Sequence, residues 1–230
     1  MITMAKTQAQ RIKKHGAKAV VVDHTPPPVI KPAAGTSSSA GRSPEQAPNN
    51  SKLIVIAGVV ASLFLFWYLH LLTLNQMTQL SGGMAMPDSL TGGFSTDYIT
   101  HLHAAMDDAA RGQLSYLHKT AGTLFPLIFG FSWLLLIGTN VSRRSLRRAM
   151  WAAPLLFVVA HLWSNIAIDS MVGAATPDAG LVALASAVTV ASWVLFLLSI
   201  LCGAAAVYLG RKRSKQARAE QARAEQRDQR

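Results

Sequence analysis

LIVIAGVVASLFLFWYLHLL, residues 53–72, is a run of twenty residues without a formal charge. Twenty apolar residues rising about 1.5 Å each cover a hydrocarbon core of about 30 Å, so the run reads as a membrane span. Three more follow: AGTLFPLIFGFSWLLLIG at 121–138, AMWAAPLLFVVAHLWSNIAI at 149–168, and the longest stretch, Leu181 to Leu209, which is long enough to tilt or to emerge into water. Inside lipid a backbone amide finds no water, so each run must close its hydrogen bonds within itself as a helix. Composition agrees with this reading. Half of the 230 residues are apolar and 14% are charged, against about 25% in an average soluble domain. The expected fold class is an all-α membrane protein. A four-transmembrane-helix bundle occupies 52–210, an amphipathic helix lies in the outer loop 73–120, and disordered cytoplasmic tails occupy 1–51 and 211–230.

The charges are crowded outside the apolar runs. Residues 1–52 hold eight Lys and Arg, the connection between spans two and three holds Arg143, Arg144, Arg147 and Arg148, and the tail from Arg211 holds eight. The connection between spans one and two holds only Arg111 and Lys119, and the next holds none. Lys and Arg resist translocation, so the twenty-against-two alternation predicts both termini in the cytoplasm of a multi-pass inner (plasma) membrane protein. The net charge of +11 follows from this bias and does not call for a nucleic-acid partner, although a basic tail can touch anionic lipid. The first apolar run is too long for a signal-peptide core and reads as an uncleaved anchor.

Six prolines and a TSSSAG stretch in residues 1–50 predict disorder, with a short helix near Ala5–Ala19. The terminal ARAEQ repeat predicts either a solvated extension of span four or a disordered tail. In the outer loop, Ser95 or Thr96 is a candidate cap. DYITHLHAAMDDAARGQLSYLHKT, from Asp97, has the periodicity of one helix running into span two. That helix aligns His103, Asp107, Arg111, Ser115 and His118 on one face and allows Asp107 to pair with Arg111. The loop and second span also carry Asp88, Gly93, Phe94, Arg111, Tyr116, Phe125 and Pro126. This set resembles a pattern in small bacterial four-span membrane proteins. Arg111 precedes Gly112 here, the reverse of that pattern, and the resemblance implies the topology and no particular reaction. A likeness to claudin-type four-span proteins is architectural only, since their paired loop cysteines are absent.

No catalytic motif is present, so an enzyme is not expected. The lone cysteine, Cys202, excludes an internal disulfide and reads as a small buried residue. In span three, His161, Ser164, Asn165 and Asp169 share one face, which predicts a polar stripe opening outward, either a pocket or an interhelical network. His103, Asp107, Arg111 and His118 form a second candidate site in the loop. His70, His118 and His161 approach one level of the membrane, where two imidazoles can ligate haem b or a transition metal, although no cofactor is required by any motif. Trp67, Tyr68, Trp151, Trp163 and Tyr208 sit near span ends, whereas Trp133 and Trp193 fall deeper and should pack. Ala183, Ala187 and Ala191 permit close helix approach, inside the bundle or between copies. Pro126 and Pro154 are candidate kinks.

Two functional readings follow. One is a non-enzymatic component that assembles, through its outer loop, with a membrane-protein partner or a second copy. The other is a small transporter or redox subunit with an outward-facing polar pocket. A reporter domain fused after Arg230 is expected to read cytoplasmic, and a signal from the opposite side would reverse the topology.

Overall fold

The structure, a computed structural model, describes residues 46–176 and 178–229. Among them there is no strand, and four helical rods are long and apolar enough to cross a membrane. The first rod joins α1 (Gln46–Phe66), a π-helical segment (Trp67–Thr73) and α2 (Leu74–Leu80). A 3-10 turn (Pro87–Ser89), α3 (Thr96–Ala105) and α4 (Asp108–Lys119) follow. The other rods are α5 (Ala121–Asn140), α6 (Arg144–Gly173) and α7 (Ala179–Asp228). One end of the bundle is capped by residues 81–120 and is called the loop end. The other carries Arg143–Arg148 and the start of the α7 tail and is called the basic end.

The helices are longer than the apolar runs. The first begins at Gln46, within the stretch expected to be tail. The rest of that tail, with the expected helix at Ala5–Ala19, lies outside the described residues. The first rod ends at Leu80 because Gly82 and Gly83 take positive φ (65° and 91°) and Gly83 N–H donates back to Thr78 O at 2.9 Å. At the far end α7 continues as one exposed helix through both ARAEQ repeats to Asp228. Of the two alternatives for the tail, the structure takes the solvated helix.

Polarity is turned outward-in. Leu53, Ile56, Val60, Phe131, Val159, Ile166, Val194 and Leu201 are exposed, whereas Ser132, His161, Ser164, Asn165, Thr189, Ser192 and Ser199 are buried. Hydrocarbon tolerates the first group and penalises the second, so polar side chains turn to the bundle interior and pair there. Ser164 Oγ and Thr189 Oγ1 lie 2.7 Å apart, and Trp133 Nε1 donates to Ser199 O at 2.7 Å. Trp133 and Trp193 pack as expected, and Trp67, Trp163 and Tyr208 remain largely exposed. Ala183, Ala187 and Ala191 are exposed, so that stripe does not pack inside the bundle. The buried face of α7 is instead Val182, Ala185, Val188 and Thr189.

Pro126 lies within α5 and lacks the N–H that would satisfy the carbonyl four residues back, that of Gly122. Asn165 Nδ2 replaces that donor, reaching Gly122 O at 2.9 Å. A Cβ on residue 122 would stand 3.0 Å from Asn165 Nδ2, so glycine is what lets the amide in. The α5–α6 contact is thus fixed by three residues acting together.

Asn165→Leu strands the Gly122 carbonyl and should cost about 1–3 kcal/mol. Adding Pro126→Ala restores the backbone donor and should recover part of that loss. Unfolding in mixed detergent micelles measures both, and an unchanged midpoint for the single variant would remove Asn165 from this role.

Candidate functional site

The loop end is closed by its own connection. Met86, Ile99, Leu102 and Met106 are fully buried beneath it, together with Leu74 and Met77 from α2. Two tertiary hydrogen bonds seat it on α7: Phe94 N–H donates to Ser186 Oγ at 2.9 Å, and Trp193 Nε1 donates to Asp88 O at 3.0 Å. The helix expected from Asp97 is broken at Met106 and Asp107. Ser95 caps α3 through Tyr98 N–H, and Asp107 caps α4 through Ala110 N–H at 2.7 Å. The Asp107 carboxylate is therefore committed to the helix end and does not pair with Arg111. Arg111 pairs with Asp108 (3.2 Å) and reaches Asp107 only at its backbone carbonyl (3.4 Å).

Folding the loop this way delivers Asp88 to the top of the bundle. Asp88 Oδ1 and Oδ2 each lie 3.2 Å from His118 Nε2, at the end of α4. The other ring nitrogen, Nδ1, lies 2.6 Å from Asp169 Oδ1 on α6. Ser115 Oγ donates to the second Asp169 oxygen at 3.0 Å. An ionised carboxylate only accepts, so an imidazole held between two of them carries a proton on both nitrogens. Asp88 and His118 are 8% and 3% exposed, and the Asp169 side chain is 22% exposed, so the chain of groups reaches the protein surface at Asp169. Burial raises the affinity of Asp88 for its proton, but the charge and hydrogen bond of His118 outweigh burial and hold the carboxyl below its usual range.

Deeper in the bundle, His70 and His161 face each other with ring centroids 6.3 Å apart. His70 rides on the π-helical segment, whose extra residue per turn re-phases the first rod, and its ring stacks on Phe66 at 4.7 Å. His161 Nδ1 lies 3.2 Å from Ser192 Oγ, while its Nε2 and the His70 Nδ1 are buried without a hydrogen-bond partner. A cavity of about 10 Å³ lies here, lined by both rings with Phe66, Phe125, Phe157, Ser192, Trp193 and Phe196. That is about the room one water molecule needs. The aromatic side chains are in mutual contact at 5.3–6.0 Å, as in Phe125–Phe157, Phe157–Phe196 and Trp193–Phe196. A porphyrin plane has no slot between the two histidines, so the haem alternative does not fit. Among the described residues no group of three or more His, Cys, Asp or Glu side chains is arranged to hold a metal ion.

The two predicted groups of residues are thus redistributed. Asp169 and His118, drawn from different groups, meet. Ser164 and Asn165 are spent on Thr189 and on Gly122. His103 Nε2 lies 2.8 Å from Arg111 Nη1 and 3.0 Å from Ala174 O, and a single ring nitrogen serves one of these partners at a time: it accepts from Arg111 when bare and donates to Ala174 O when protonated. Asp88 entered the sequence reading only through the family resemblance. Its local signal is an acid directly after the apolar MAMP.

His118→Ala leaves two carboxylates unpaired and should destabilise the loop end by several kcal/mol, about 3–5 if both remain ionised. Because the Asp88 carboxyl is held low, its contribution is complete above the ordinary range near about 4 and is lost only as pH falls below it. The near-UV circular dichroism that disappears in Trp193→Phe reports docking of this turn. It should persist through that range in the wild type, and loss at higher pH would contradict the pairing.

No family model matches the chain, and no curated protein or solved structure matches it either. What the site does must follow from its own geometry.

Proposed function

We propose that the chain is a small multi-pass transporter of the inner (plasma) membrane, with both termini cytoplasmic, that takes up protons from the outer side at Asp88, His118 and Asp169. The observation carrying this reading is the imidazole of His118 held between two carboxylates at a buried helix end, with the Asp169 carboxyl partly exposed at the surface. An ion pair in such a place contributes little net stability compared with an apolar replacement, so its retention favours a role in handling charge. The proton is the favoured cargo because the deeper cavity admits nothing larger than about one water. His118 is also already engaged on both nitrogens, by Asp88 and Asp169. His70 and His161 lie next inward and offer ring nitrogens without protein partners, the second half of a relay. Below them Phe125, Phe129, Phe157 and Phe196 pack ring on ring and close the route to the basic end. In this arrangement the loop connection covers the route at one end and the aromatic rings close it below, so passage requires those rings to part.

The assembly reading has less support. Most large apolar side chains of the loop are consumed in covering the bundle, and α3 and α4 present outward mainly polar or small residues, Asp97, Thr100, His101, Asp107 and Asp108 among them, with Tyr116 as the large exposed ring.

Protein reconstituted into vesicles with an entrapped pH dye and an imposed potassium diffusion potential tests the proposal. Wild type should acidify or alkalinise the lumen several-fold faster than empty vesicles, and Asp88→Asn or His118→Gln should return the rate to background. Equal rates in wild-type and empty vesicles would overturn it.

A further inference from the structure

A groove of about 810 Å³ lies at the basic end, where the start of the first rod, the close of α5 and the emerging part of α7 come together. Its walls carry six cations: Lys52, Arg211, Lys212, Arg213, Lys215 and Arg218. Thr139, Asn140, Tyr208 and Ser214 add neutral hydrogen-bonding groups, and no acidic side chain is among the described lining residues. Arg213 Nη2 donates to Asn140 O at 3.3 Å, which ties the α7 helix to the end of α5. The acids of the tail, Glu220, Glu225 and Asp228, all lie beyond Arg218 in the chain.

A second groove, of about 410 Å³, adjoins it. Its walls are apolar: Trp133 and Leu136 from α5, with Ile200, Gly203, Ala204 and Val207 from α7. Tyr208 and Arg211 line both grooves. The apolar one therefore runs along the α5–α7 face and opens into the basic one at a tyrosine and an arginine. Tyr208 is 68% exposed there, the position an amphipathic ring takes at the boundary between hydrocarbon and water.

We infer that these two grooves together form a binding site for one anionic phospholipid, its phosphate-bearing headgroup among Lys52, Arg211 and Lys215 and an acyl chain against Trp133, Ala204 and Val207. Each half points to the same occupant. Concentrated cations without acids attract phosphate. The apolar groove continues from the cationic pocket in the direction a lipid tail must take. A free phosphate or a soluble acidic partner would use the first groove only. The site is at the opposite end from the Asp88 cluster and does not depend on the proton reading.

The full-length protein, extracted in mild detergent, should carry co-purifying anionic phospholipid above its share of the source membrane. In phosphatidylcholine nanodiscs, added phosphatidylglycerol should raise its thermal midpoint. Arg211→Gln with Lys215→Gln should reduce phosphatidylglycerol retention at least about tenfold. Arg223→Gln with Arg227→Gln, the same charge change further along the tail, should leave it intact. Ala204→Phe, at a lipid-exposed position, should fill the apolar groove and lower retention without changing charge or core packing. Equal loss in the two charge variants would mean diffuse attraction to the membrane surface, and displacement of the lipid by inorganic phosphate would mean a free-anion site. Either result overturns the inference, as does full retention in Ala204→Phe.

Discussion

A polar group inside hydrocarbon has no solvent to turn to, and the architecture of this chain follows from how each such group is accommodated. The buried Ser132, Ser164, Asn165, Thr189 and Ser199 face inward, and each is matched to a carbonyl or hydroxyl on a neighbouring turn or helix. The hydrophobic effect does not drive these helices together, because the lipid outside is as apolar as the side chains it touches. Close packing and polar pairing do that instead. The Gly122–Pro126–Asn165 arrangement is the clearest case. A proline removes a donor, a glycine clears the space, and an amide from the next helix fills both needs.

The same constraint explains why the loop end is the unusual part of the molecule. In the spans the buried polar groups are hydroxyls, an amide and imidazoles, most of them paired with a neighbour, while one ring nitrogen each of His70 and His161 has no protein partner. Here two carboxylates and an imidazole are buried together, supplied by three segments that only tertiary folding brings into contact. The cap is held on by Trp193 and Ser186 from α7 and by apolar side chains beneath it, so the charged groups are secured by structure that does not itself carry charge. Their burial is imposed on them, a condition under which protonation and shape become linked.

The spans were legible because hydropathy is a property of contiguous sequence, and so was the depth of Trp133 and Trp193, which follows from counting residues inward. Helix ends were less so. The break between α3 and α4 interrupts a periodicity that carries on unchanged across it, and the capping role of Asp107 is visible only once the chain is known to turn there. The face presented by Ala183, Ala187 and Ala191 could not be read, since every side of an apolar helix is acceptable to lipid. The site was read in halves. His118 and Asp169 stood out individually, but they are 51 residues apart and Asp88 is 30 from His118. No periodicity spans such distances. The π-helical segment under His70 also left no local mark, because WYLHLLT is apolar and compatible with an ordinary α-helix.

One feature of α7 reaches beyond its packing. At fifty residues and about 1.5 Å per residue it is a single rod about 75 Å long. Its upper third both holds the turn that bears Asp88, through Ser186 and Trp193, and supplies Ser192 beside His161, and its lower third is exposed. A continuous helix resists bending, so the residues that seat the Asp88 turn and those that line the basic groove belong to one stiff element, tied near its lower part to the end of α5 through Arg213.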